Sequence, residues 1–134
     1  MRALIVFFLL LSSAAMAEAP TVKPVGSILQ IMQGIVVPAS NAIFRIPNEA
    51  PKNDKEWAAV QSNALVLAES GNLLMLPGRA KDDGEWMKDS RNLVDAGAAA
   101  FKAANAKDAD ALTEIGDQIL TTCSTCHQKY EPHR

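Results

Sequence analysis

Apolar positions recur at helical spacing along most of the chain and almost nowhere alternate with polar ones, as a half-buried strand would require. A first stripe, Ile28, Met32, Ile35, Ala39 and Ala42, advances in steps of four and three, the seam spacing of a bundled helix. It predicts a helix from Val25 to Arg45, bent at Pro38, which lacks a backbone donor and crowds the preceding turn. A second stripe on the same helix, Leu29, Val36 and Ile43, is only a weak hint of a homodimer face. The segment IPNEAPKND then breaks the pattern with proline and asparagine and reads as a loop.

Asn53 with Glu56 three residues on has the form of a capping box. It opens a second stripe, Trp57, Val60, Ala64, Leu67, Gly71 and Leu74, which must stop before Pro77-Gly78. Asp82 or Asp83 is placed to cap a third helix, with Trp86, Leu93, Gly97, Ala100 and Ala104 on its inner side. After a break at Asn105-Ala106-Lys107, Asp108 caps a fourth helix buried through Leu112, Ile115, Ile119 and Tyr130. Short connections make consecutive helices antiparallel, so the expected fold is all-α, an up-down-up-down four-helix bundle.

Two features of the whole chain refine this picture. MRALIVFFLLLSSAAMAEAP places one basic residue before an apolar run that ends at Ala15-Met16-Ala17, the layout of a secretory signal and its cleavage site. The run is shorter than the roughly 20 residues a spanning helix needs. Residues 1–17 are therefore expected to be removed, leaving residues 18–134 as one exported, periplasmic domain. Only 5% of residues are aromatic, which with abundant alanine suits helix-on-helix packing. A net charge of −2 without blocks of like charge gives no footprint for nucleic acid.

The chemistry is concentrated in CSTCHQKY, Cys123 to Tyr130, which holds both cysteines and one of the two histidines. At about 100° per residue, Cys126 lies about 60° to one side of Cys123 and His127 about 40° to the other. All three share the apolar face of helix four, while Glu114, Asp117, Thr121, Thr125, Gln128 and Lys129 take the opposite one. Three chemistries use such residues. A CxxC pair can form a local disulfide or redox couple, although the thioredoxin-like case wants it at a helix start after a strand. Two thiolates and an imidazole are three of the four ligands a structural zinc needs. C-x-x-C-H is also the spacing of covalent haem attachment, in which thiols one turn apart bond two vinyl groups and the next residue ligates iron. Only the last gives every residue of the motif a role.

With CSTCHQKY near the C-terminus and GEWMKDSRNLVDAGAAAFKAANAKDADAL before it, the chain resembles the class II c-type cytochromes, the cytochromes c′ and their low-spin relatives. The likeness is strong from Asp83 onward and weak in helix one. It implies one haem c bound through Cys123 and Cys126, with His127 as proximal axial ligand. The chain departs from the family at Glu131 and in VGSILQIM, where many members carry arginine. By the same resemblance the sixth position divides the family. A methionine on helix one makes a low-spin electron carrier, and an apolar residue there makes a five-coordinate protein open to nitric oxide or carbon monoxide. Met32 lies on the stripe that would face the iron, and it equally suits a core position among isoleucines.

Met75 and Met87 are weaker ligand candidates, and His133 sits in the tail. Arg79, Arg91 and Lys23 are candidate propionate donors. Gly116, on the motif's side of helix four, either makes room for a porphyrin or admits a neighbouring helix. Trp57 and Trp86 are expected to cover bundle ends. No Ser/His/Asp set, distal histidine or paired carboxylates accompany the motif, so a non-enzymatic carrier passing electrons between periplasmic redox proteins is expected. A gas-binding cytochrome c′ is the alternative, and a haem-free helical binding module with a local disulfide the second.

Overall fold

The computed structural model describes residues 21–131; the signal peptide expected over 1–17 and His133 lie outside them. The described residues form four helices and no strand. Helix α1 spans 28–44 in three continuous pieces, Ile28–Ile31, a π turn at Met32–Val36, and Val37–Phe44. Helices α2, α3 and α4 are Asp54–Leu74, Glu85–Asn105 and Ala109–Tyr130. Contacts between helix ends set the up-down-up-down order. Arg79 Nε, after α2, donates to Gly26 O before α1 at 3.0 Å. Lys107 Nζ, after α3, meets Asp54 Oδ1 at the start of α2 at 2.7 Å. Tyr130, ending α4, donates its hydroxyl to Asp82 before α3. No helix among the described residues is long and apolar enough to cross a membrane.

The helix starts follow their caps. Ser27 Oγ accepts from Gln30 N while Gln30 Oε1 accepts from Ser27 N, a reciprocal capping box that starts α1 at Ile28, three residues later than Val25. Asn53 Oδ1 accepts from Glu56 N at 3.0 Å, and Asp108 Oδ1 from Ala111 N at 2.9 Å. Before α3, Gly84 holds the cap position, and Asp82 Oδ1 accepts from Gly84 N and Trp86 N across the turn. Helix α3 closes with Asp108 N donating to Ala103 O and Lys107 N to Ala104 O, a Schellman pair. Lys107 takes the left-handed conformation, φ 56°, that glycine usually fills there.

The core stripe of α1 departs from the expected one. Its buried residues are Ile31, Val36, Ala39, Ser40 and Ile43, with Ile46 just beyond the helix. The step from Ile31 to Val36 is five residues, the period of a π turn, after which ordinary spacing resumes. Ile28, Met32 and Ile35 are therefore only partly buried, and Val36 and Ile43, expected on an outer face, are core; only Leu29 of that second stripe is exposed. Pro38 supplies a reason for the π turn. In an unbroken α-helix its ring would press on the carbonyl four residues back, and the wider turn just before it relieves that clash.

Helices α2 and α3 approach most closely, through glycine. A Cβ on Gly97 would stand 2.5 Å from Ala68 N, and one on Gly71 2.6 Å from Ser90 O. Trp57 and Trp86 are buried at their helix starts as expected, with Trp86 Nε1 donating to Leu74 O at 2.9 Å.

Candidate functional site

Helix α4 carries the motif as the wheel predicts, with Cys123 and Cys126 half-buried and His127 more exposed. Its 22 residues run from the Asp108 cap to Tyr130, so the motif occupies the last two turns. Those turns are fastened beyond His127, where the Tyr130 ring packs edge-on against Trp86 at 5.0 Å and its hydroxyl binds Asp82. Burial, then the Asp82 carboxylate, pushes the Tyr130 phenol up to about 12.

The motif opens onto a cleft of about 210 Å³ between α1, α3 and α4. Cys123, Cys126 and His127 form one wall, and Met32, Val36 and Phe44 of α1 face them. Asp89, Ser90 and Leu93 of α3 close a third side. Four residues singled out by sequence, Met32, Cys123, Cys126 and His127, thus meet at one cavity although 91 positions separate the first from the second. The π turn begins at Met32, at the cleft itself, a placement frequent at functional sites.

Both cysteines are free thiols. Burial raises the Cys123 thiol, and burial together with the Asp89 charge pushes Cys126 up to about 11, so both are protonated at neutral pH. Low-pKa thiolates, the basis of thioredoxin-type exchange, are not what this surrounding produces. Among the described residues no three of histidine, cysteine, aspartate and glutamate are set at metal-ligand distances.

Other candidates sit elsewhere. Arg79 is buried and committed to Gly26 O and, through Nη1, to Leu73 O at 3.0 Å, in a separate cleft beside Trp86 and Tyr130. Arg91 and Lys23 are exposed, and neither lines the motif's cleft. Met75 caps the end of α2, and Met87 packs on the core. Gly116 faces Phe44, whose Cδ1 would lie 3.8 Å from an added Cβ, an ordinary contact that does not demand glycine. Sequence reasoning missed Asp89. Its signal was present, since Asp89 falls three residues after Trp86 and four before Leu93, where the α3 stripe calls for an apolar side chain.

The chemistry of the donor set fits a covalent haem: two protonated thiols one helical turn apart, an adjoining imidazole, and a thioether across an apolar gap. No family model, curated protein or solved structure matches the chain.

Proposed function

We propose that this protein is an exported mono-haem c-type cytochrome that carries single electrons between periplasmic redox proteins. The observation that carries the reading is the convergence of Cys123, Cys126 and His127 with Met32 on opposite walls of one cleft. Haem c bound there would supply a one-electron iron couple. The chain's own part is structural and electrostatic. The Cys123 and Cys126 sulfurs would anchor the ring to the last turns of α4, and His127 would be the proximal axial ligand. Met32 would be the distal one. Val36, Phe44 and Leu93 would keep water from the bound ring, favouring a stable pair of oxidation states over side reactions. A porphyrin exceeds the cleft's volume, so loading either spreads α1 from α4 or leaves a ring edge in solvent, the edge through which outer-sphere transfer proceeds.

The apolar distal wall also favours a second reading, a five-coordinate protein that admits nitric oxide or carbon monoxide beside an unligated Met32. One experiment separates the readings. The chain is produced with a cytochrome maturation system, and the processed protein is examined by mass spectrometry, pyridine haemochrome assay and ferrous spectra with and without carbon monoxide. One covalent haem and a low-spin spectrum indifferent to the gas are expected, with Met32→Ala converting it to a gas-binding one. A gas-responsive wild type establishes the second reading. A processed chain without covalent haem overturns both and leaves a helical binding module.

A further inference from the structure

The cleft contains one group that its apolar lining does not explain. Asp89 is only 5% exposed and lines the cavity beside Cys126. Among the described residues its carboxylate makes no hydrogen bond or ion pair, while its charge reaches both the Cys126 thiol and the Tyr130 phenol. No side-chain oxygen among the described residues is sealed from solvent without a partner, so the Asp89 carboxylate opens onto the cleft, and an occupant filling that cleft would strip its water at a substantial cost unless it offered a countercharge. Neighbouring polar residues do not offset it here. Ser90 is buried on the same helix, and Ser40 donates its hydroxyl back to Val37 O at 3.1 Å. The nearest lysine on the same helix, Lys88, is engaged with Glu85 at the surface.

We propose that Asp89 is the countercharge of the oxidised prosthetic group and holds the reduction potential of this site low. The inference rests on the haem reading above and adds a positioning and tuning residue to it. A ferric porphyrin core carries one net positive charge and a ferrous core none, so a fixed carboxylate at the cavity wall stabilises the oxidised form selectively. The low dielectric of the cleft strengthens that preference relative to a surface carboxylate. The partner the carboxylate lacks among the described residues is thus provided by the occupant, and only in one oxidation state.

Spectroelectrochemical titration of the haem-loaded protein tests this. At the wild-type midpoint, Asp89→Asn is expected to shift the reduced-to-oxidised ratio about tenfold toward reduced, the order expected for one unit charge lost from the cavity wall at an effective dielectric of about 20. Asp89→Glu is expected to retain the low potential, and Asp95→Asn, on the exposed side of α3, to leave it unmoved. A carboxylate with a purely structural role would alter the urea midpoint of the asparagine variant while its potential stayed at the wild-type value. That result overturns the inference and leaves the cytochrome reading standing. Should Asp89→Asn fail to accumulate, Asp89→Ser takes its place, and failure of both assigns Asp89 to the fold and rejects the tuning role. A wild type without haem removes the cytochrome reading, and the inference with it.

Discussion

Lys107 shows how one residue is held in a conformation its chemistry does not favour. A left-handed backbone costs a side-chain-bearing residue roughly 1–2 kcal/mol, and the usual solution at this helix-end position is glycine. Lysine's ammonium reaches Asp54 from this position and joins the end of α3 to the start of α2. The Asp54 carboxyl is held below its ordinary range by that hydrogen bond. The ion pair is solvent-exposed, and exposed pairs contribute at most about 1 kcal/mol, so backbone relief should outweigh its loss. Lys107→Gly is therefore expected to unfold in urea at an equal or higher midpoint than wild type. A clear fall in that midpoint would show the cross-helix tie to be the stronger term. Asp89 is the complementary case: its position in the α3 stripe was visible in the sequence, but the face it shares with the motif emerges only when α3 and α4 are packed.

Helix α1 sets the limit of what periodicity reveals. The starts of α2 and α4 were legible from Asn53 and Asp108, because a side chain that accepts from the backbone three residues on acts locally and needs no tertiary context. The core of α1 was not, because a stripe drawn at 3.6 residues per turn assumes an unbroken helix. The turn from Met32 to Val36 inserts one residue and rotates everything beyond it, so Val36 and Ile43 enter the core in place of Ile35 and Ala42. If the π turn is a one-residue insertion, its removal should restore an α-helix and keep both halves in phase. Gly34 is the residue to delete, since it is exposed and a Cβ there would meet nothing within 4 Å. With the turn gone, the Pro38 ring would again press on the carbonyl four residues back, so the deletion variant is expected to unfold at a lower urea midpoint, by about 3 kcal/mol. A midpoint at or above that of the wild type would mean that Pro38 does not require the wider turn.

At the scale of the whole molecule, the helices are tied at their ends and packed by small residues between. The tie nearest the motif has a definite pH signature. Tyr130, ordinarily near 10, titrates in the folded protein at about 12, so folding favours its protonated form. Its contribution is complete below pH 10 and is lost as pH rises from 10 through about 12. Asp82, held low by the same hydrogen bond, contributes at neutral pH and loses its contribution in acid. Tyr130→Phe keeps the ring against Trp86 and removes the hydroxyl, so its melting temperature should fall less steeply over that alkaline interval. Parallel wild-type and variant curves would place the alkaline loss elsewhere. The end-to-end ties were hidden from sequence because each joins residues about 50 apart, whereas the antiparallel order itself followed from short loops.

Among the described residues no hydrogen bond or ion pair joins α1 to α4, the two helices that flank the cleft most directly; only apolar packing holds them together. The start of α1 is held to the end of α2 through Arg79 and Gly26 O, so the seam between α1 and α4 is the one wall of the cleft that carries no polar tie among the described residues.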